Sequence, residues 1–80
     1  MTRDEIANIV KTTIAEEFSY DKEKISEQTV AADVPGWDSF SHGVLIMQIE
    51  SEVKVELPVD KIMEAANVGE LIDLINTELK

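Results

Sequence analysis

The stretch GWDSFSH, residues 36–42, marks the point at which a long irregular segment ends and an apolar helix begins. The glycine, with the proline before it, stops any helix that arrives from the N-terminal side. Asp38 is a good N-cap residue, and apolar residues recur at helical spacing from there to about Val53. The stretch therefore predicts a helix that begins near Ser39, with the serine hydroxyl at the accessible start of that helix.

Upstream of this stretch, the sequence predicts one helix followed by one long loop. Thr2 and Glu5 have the spacing of a capping box, which predicts a first helix over roughly residues 3–18. The apolar residues that recur along it are Ile6, Ile9, Val10, Ile14 and Phe18. Periodicity fails from Ser19 to Asp38, which predicts a loop of about 20 residues, a length that is uncommon without a function or internal packing. We expect the loop to be ordered by its own apolar residues, Ile25, Val30, Ala32 and Val34.

Downstream, two further helices are predicted. Val55 to Pro58 is typical of extended chain, and Asp60 can cap a short third helix over Lys61 to Ala66. Asn67 can cap a fourth helix, whose apolar residues are Val68, Leu71, Ile72, Ile75 and Leu79. The predicted fold is all-α: a four-helix bundle in one domain over residues 1–80, with three longer helices, a short third helix and a long loop between helices 1 and 2.

Composition excludes several classes of function. Eighty residues support one core but not a deep, water-free catalytic cleft, so we expect no catalytic residues. The formal net charge of −10 disfavours nucleic acid and anionic membranes, and it favours partners with basic surfaces. No cysteine and no calcium-loop pattern occur, so no metal site is predicted. The acidic first residues are not typical of a signal peptide and no apolar run is long enough to span a membrane, so we expect a cytoplasmic monomer.

The second helix has two apolar faces. At about 100° per residue, one face carries Leu45, Ile46, Ile49 and Val53, and the opposite face carries Phe40, Val44 and Met47. One interpretation is that the helix is central and covered on both sides. The other is that the second face is an exposed patch for a partner, beside Ser39. Gly43 adjoins this face, where its missing side chain lets another surface come close or is simply tolerated.

The Ser39 hydroxyl has three interpretations. As a cap it is redundant, since Asp38 already serves. As a nucleophile it needs a base, and the single histidine, His42, lies three residues further along the same helix. The GxSxG elbow of serine hydrolases is absent, however. The simpler interpretation of His42 is a side chain at the edge of the core whose hydrogen bonds are satisfied. The simpler interpretation of Trp37 is a lid that packs the loop onto the helix. The remaining interpretation is an attachment point.

At these residues the chain resembles the acyl carrier proteins and related peptidyl carrier domains. The resemblance lies in the Asp38-Ser39 pair, the bulky apolar residue after it, and the helix through Val44-Leu45-Ile46-Met47-Gln48-Ile49-Glu50. It extends over the whole chain, through the long loop, the turn at residues 55–58 and a last helix that opens Asn67-Val68-Gly69-Glu70-Leu71.

The resemblance implies a carrier rather than an enzyme. In that family a separate phosphopantetheinyl transferase attaches 4′-phosphopantetheine from coenzyme A to the serine, here Ser39, beside the motif neighbour Asp38, and the arm's thiol then carries acyl groups as thioesters. The implied partners are that transferase and acyl- or aminoacyl-loading and condensing enzymes with basic or apolar docking patches, in fatty-acid, polyketide, nonribosomal peptide or related biosynthesis. Carriers of primary fatty-acid synthesis commonly have acids where this chain has Ser41 and Val44. The Trp37-Asp38-Ser39 run with His42 looks more like freestanding carriers of specialised pathways.

An alternative from another class stays open. The chain could be an unmodified acidic interaction module that binds a partner helix through Phe40, Val44 and Met47. A small hydrolase is a third hypothesis, and it alone requires His42 for activity.

Overall fold

A computed structural model describes residues 1–79, which form four α-helices and no strand. The helices are α1 (Arg3–Phe18), α2 (Ser39–Val53), α3 (Val59–Ile62) and α4 (Val68–Leu79). Helix α1 packs against both α2 and α4, and the short α3 contacts α2 and α4. The predicted all-α bundle with three longer helices, a short third helix and a long loop is confirmed.

Each of the three longer helices contributes one apolar face to a single core. Burial of a Leu or Ile side chain stabilises the fold by about 1.5–3 kcal/mol, so these faces provide most of the favourable free energy. The fully buried side chains include Ile6, Val10, Ile14, Leu45, Ile49, Ile62, Val68, Ile72 and Ile75. The predicted core face of the second helix is therefore confirmed.

The start of α1 is the capping box that the sequence predicts. The Thr2 hydroxyl oxygen accepts the Glu5 backbone N–H at 3.2 Å, and the Glu5 carboxylate accepts the Thr2 N–H at 2.9 Å. Hydrogen bonding of the Glu5 carboxylate to the Thr2 backbone N–H, and secondly to the Thr2 side chain, holds the pKa of Glu5 below its ordinary value. At the other end, Ser19 adopts a left-handed conformation with φ of 51°, which ends the helix and turns the chain into the loop.

The loop between α1 and α2 is ordered and contains two 3₁₀ turns, Lys22–Lys24 and Ala31–Asp33. Of the four apolar residues expected to order it, Ile25 and Val34 are buried and Val30 is half-buried, as expected. The expectation for Ala32 is wrong, because the second 3₁₀ turn leaves its side chain exposed. The loop therefore buries two of these four apolar side chains, Ile25 and Val34.

The third helix lies earlier in the chain than predicted. It runs over Val59–Ile62 instead of residues 61–66, and Asp60 lies inside it instead of capping it. The Ile62 N–H donates to the Pro58 carbonyl at 3.0 Å, so the helical turn begins directly after the proline. The buried Ile62 side chain fixes this turn against the core. The predicted cap of α4 is confirmed, since the Asn67 side-chain oxygen accepts the Glu70 N–H at 2.8 Å.

Within residues 1–79, none of the helices has the length and the apolar composition needed to cross a bilayer.

Candidate functional site

The Asp38 carboxylate caps the start of α2 and leaves the neighbouring serine free. Asp38 has extended backbone, and its Oδ1 accepts the Ser41 N–H at 2.9 Å. Hydrogen bonds from the helix start lower the pKa of this carboxyl, so it is ionised at neutral pH. Ser39, the first residue of α2, is exposed, and no side-chain hydrogen bond within residues 1–79 involves its hydroxyl. The predicted division of roles, with Asp38 as cap and Ser39 accessible, is confirmed in geometry.

The backbone before Ser39 forms a turn that is attached to the core. The Trp37 N–H donates to the Val34 carbonyl at 3.2 Å, and the Val34 side chain is only 2% exposed. Gly36 has φ of +90°, a conformation that side chains with a Cβ rarely adopt, which explains the glycine in the opening motif.

Trp37 joins the loop to α2 as the predicted lid. Its ring lies near those of Phe18 and His42, at centroid distances of 5.7 Å and 5.9 Å, and both pairs of ring planes are nearly parallel. The indole N–H donates to His42 Nδ1 at 3.0 Å. The aromatic side chains of α1, the loop and α2 therefore form one stack, with Trp37 in the middle.

His42 is a satisfied side chain and has no nitrogen left for catalysis. Its Nδ1 accepts from Trp37, so the ring proton is on Nε2, which lies 3.3 Å from the Ile62 carbonyl and donates to it. Burial lowers the pKa of His42, and the Ile62 carbonyl offsets this only in part. With both nitrogens engaged elsewhere, His42 cannot serve Ser39 as a general base in this conformation, which argues against the hydrolase hypothesis.

A cavity of about 270 Å³ opens beside Ser39. Trp37, Asp38 and His42 line one side, and Met63, Asn67 and Leu71, from the end of α3 to α4, line the other. Sequence reasoning identified the first three residues but not the second three. Their approach to Ser39 depends on how α3 packs across α2, for which the local sequence carries no signal.

The second apolar face of α2 is largely exposed. Phe40 is 82% and Met47 is 67% exposed, whereas Val44 is half-buried and lies outside the core cluster. Of the two interpretations of this face, the covered one is therefore wrong for Phe40 and Met47. A Cβ added at Gly43 would meet nothing within 4 Å, so no contact within the described chain requires glycine there.

This surface is also uncharged in a strongly acidic protein. No Asp, Glu, Lys or Arg occurs from Ser39 to Ile49, although the whole chain has a net charge of −10. Half-buried and with a lowered pKa, His42 adds no charge at neutral pH. The acids resume at Glu50, further along α2. The exposed apolar face therefore adjoins an acidic surface.

Comparison with known proteins identifies relatives over nearly the whole chain. Residues 8–75 match the family described as "Phosphopantetheine attachment site". An acyl carrier protein of Thermosynechococcus vestitus is 32% identical over 79 residues, which cover 99% of this chain and 98% of that protein. An acyl carrier protein of Lactobacillus acidophilus is 32% identical over 96% of each chain. One from Thermotoga maritima is 30% identical over 98% of this chain and 96% of its own.

Proposed function

This chain belongs to the acyl carrier protein family, and we propose that Ser39 is the residue to which its 4′-phosphopantetheine is attached. Members of this family are carriers and not enzymes, and 4′-phosphopantetheine is the group they carry. The observation that supports Ser39 is its exposed hydroxyl at the start of α2, free of side-chain hydrogen bonds and next to the capping Asp38. Both residues lie inside the matched range, 8–75.

The surroundings of Ser39 fit a phosphopantetheine group. The start of a helix favours a nearby phosphate, and the cavity of about 270 Å³ that Ser39 helps to line offers both polar and apolar side chains to an amide-containing arm. When bound, the group supplies a terminal thiol on which acyl groups are held as thioesters. Residues 38–42 themselves keep the Ser39 hydroxyl accessible and hold the start of α2 in a fixed conformation.

The attachment step exchanges one bond for another. The Ser39 Oγ forms a bond to the pantetheine-bearing phosphorus of coenzyme A, and the pyrophosphate bond breaks so that the adenosine bisphosphate leaves. The hydroxyl proton passes to a base on the transferase, since His42 has both nitrogens engaged within the carrier. Asp38 is the motif neighbour in this proposal, and it holds the helix start through Ser41.

We further propose that residues 1–80 act as one carrier domain that docks through Phe40, Val44 and Met47. Large exposed apolar side chains on an uncharged stretch of helix, in an otherwise acidic domain, fit partners with an apolar docking patch and a basic rim. The partners are a phosphopantetheinyl transferase and acyl- or aminoacyl-loading and condensing enzymes. The Trp37-Asp38-Ser39 run with His42 favours a specialised pathway, such as polyketide or nonribosomal peptide synthesis, over primary fatty-acid synthesis.

The second candidate function is an unmodified acidic interaction module that uses the same face. The exposure of Phe40 and Met47 is what favours it, and that exposure does not depend on Ser39.

One experiment separates the two functions. The purified chain is incubated with coenzyme A, Mg²⁺ and a phosphopantetheinyl transferase of broad specificity, and its intact mass is measured. We expect a gain of one arm, located on Ser39 by fragmentation. Ser51→Ala, at an exposed serine further along α2, is the matched control and should gain the arm normally. A wild-type chain that gains nothing from several such transferases would favour the interaction module.

A further inference from the structure

Ser39 lies inside a ring that one side-chain hydrogen bond closes. The Trp37 indole N–H donates to His42 Nδ1 at 3.0 Å, so this bond spans residues 38–41. Within the same segment, the His42 backbone N–H donates to the Asp38 carbonyl at 2.8 Å as the first bond of the helix. His42 therefore holds the two residues that precede the predicted attachment site, Asp38 through its backbone and Trp37 through its side chain.

The bond between Trp37 and His42 exists in only one protonation state of the imidazole. Indole is a donor alone, so His42 must offer a lone pair at Nδ1. A second proton on the ring would occupy that lone pair and place two donors opposite each other. The bond to the Ile62 carbonyl, made by Nε2, would survive. Protonation of His42 therefore breaks its bond to Trp37 of the loop and keeps its bond to Ile62 of α3.

Release of the indole would alter the surroundings of the serine. Trp37 and His42 both line the cavity that Ser39 lines, and Trp37 is adjacent to Asp38 in the chain. Without the bond, the indole keeps its ring contacts with Phe18 and His42, and the Trp37 backbone keeps its turn bond to Val34. The backbone that presents Ser39 would then be less restricted in its conformation.

We propose that His42 is a positioning residue for the modification of Ser39: through Nδ1 it fixes Trp37 and with it the backbone before the serine, and protonation of His42 slows attachment of the arm. This role rests on the proposed function of Ser39. It differs from catalysis because both His42 ring nitrogens bond to groups other than Ser39, and the residue acts through Trp37.

Burial, and not a neighbouring charge, chiefly sets the pKa of His42. The charged side chains adjacent in the chain to His42 contacts or to the rings they touch are Glu17 beside Phe18, Asp38 beside Trp37, and Lys61 beside Ile62; Asp60 lies in the same turn as Lys61, and Glu70 lies in the first turn of α4. Of these, only Asp38 lines the cavity with His42, and its carboxylate already accepts the Ser41 N–H. Burial is the main influence on the pKa of His42 and lowers it below 6.5, so the bond to Trp37 is intact at neutral pH and is lost only as the pH falls through that lowered pKa.

The test is a competition between wild type and variants in one reaction. Isotopically labelled wild type and an unlabelled variant are mixed with a broad-specificity transferase, coenzyme A and Mg²⁺, and the two modification rates are read by intact mass. Because both chains meet the same enzyme, its own pH dependence cancels in the ratio. Trp37→Phe keeps an aromatic ring but removes the N–H donor. His42→Gln keeps an acceptor for Trp37 but does not titrate.

At about pH 7.5 we expect wild type to be modified up to about fivefold faster than Trp37→Phe, the factor that corresponds to one net hydrogen bond, and about as fast as His42→Gln. When the pH is lowered stepwise through the His42 imidazole pKa, as measured by NMR, wild type should fall to the rate of Trp37→Phe and below that of His42→Gln. Ratios that do not change with pH would overturn the proposal, since they would mean a merely structural contact. Failure of wild type to be modified at any pH would instead overturn the proposed function of Ser39.

A readout that does not require the arm accompanies the competition. Trp37 is the single tryptophan, so its fluorescence reports this bond directly. In unmodified protein we expect the emission to titrate together with the His42 imidazole resonances seen by NMR, and to stay constant in His42→Gln. Emission that does not follow the imidazole would overturn the coupling of the two residues, whether or not Ser39 is modified.

Discussion

The backbone N–H of Gly69 donates to the carbonyl of Glu27 at 2.8 Å, and this bond attaches the start of α4 to the middle of the long loop. A parallel bond runs from the Val68 N–H to the Thr29 carbonyl at 2.9 Å. The Glu27 carboxylate also pairs with Arg3 of α1, which holds Asp73 of α4 as well. These contacts keep a loop of irregular structure in one place, and with it the segment that leads to Ser39.

Gly69→Ala should destabilise the protein, whereas Gly43→Ala should stabilise it. A Cβ at Gly69 would lie 3.0 Å from the Glu27 Cβ and 3.1 Å from its carbonyl oxygen, so the loop must move, at a cost of about 1–3 kcal/mol. A Cβ at Gly43 meets nothing within 4 Å, and alanine gains up to about 1 kcal/mol of helix propensity there. Urea unfolding of both variants checks the pair; equal effects would contradict the difference in space.

Asp38→Ala should destabilise the protein by about 1 kcal/mol, because the Ser41 N–H at the helix start loses its acceptor. Asp38→Asn is the control, since its amide oxygen can cap the same N–H. In urea unfolding, we expect Asp38→Asn to have nearly the stability of wild type and Asp38→Ala to be clearly less stable. If the two variants lose the same stability, the negative charge matters more than the cap.

Ser39→Ala should leave the fold intact and abolish attachment of the arm. The serine side chain is exposed and the cap is the Asp38 carboxylate, so we expect a change in unfolding free energy within about 0.5 kcal/mol. Circular dichroism and the intact-mass assay on one sample measure both effects. A variant that still gains the arm would refute Ser39 as the site, and one that unfolds would make the serine a structural residue.

Val44→Glu should cost less than about 1 kcal/mol of stability, because Val44 is only half-buried and lies outside the core. Leu45→Glu is the matched control. Leu45 is the next residue along α2 and is 0% exposed in the core, so an unpaired carboxylate there should cost several kcal/mol or unfold the chain. Urea melts distinguish the two. On the modified protein we expect Val44→Glu to weaken turnover with the cognate loading enzyme; unchanged turnover would argue against docking through this face.

The stability of the wild type should decrease between neutral pH and about pH 5, before the carboxylates titrate. Burial lowers the folded-state pKa of His42 from 6.5, so the unfolded chain takes up the proton first. The contribution of neutral His42 is thus complete above pH 6.5 and is lost as the pH falls toward the folded-state pKa. Carboxylates such as Glu5 act lower, below their ordinary value of 4.5. His42→Gln should lack the first decrease; an equal slope in both proteins would assign it to other groups.

The sequence by itself determined the elements whose causes are local. The capping residues Thr2, Asp38 and Asn67 and the apolar periodicity behind them act within one or two turns of helix, so the starts of α1, α2 and α4 could be predicted. The same local pattern predicted an accessible serine, Ser39, directly after the capping carboxylate of Asp38. It also identified one face of α2 as core.

Only the tertiary structure decided what depends on residues distant in the chain. Pro58 and the burial of Ile62 against α2 and α4 set the position of the third helix, where the sequence offered Asp60 as a cap. The loop's outward-facing Ala32 and the exposure of Phe40 and Met47 likewise depend on which surfaces the folded chain leaves uncovered. His42 shows the reason most directly: its Nε2 partner is a backbone carbonyl 20 residues away, and no side-chain pattern encodes where a carbonyl will point.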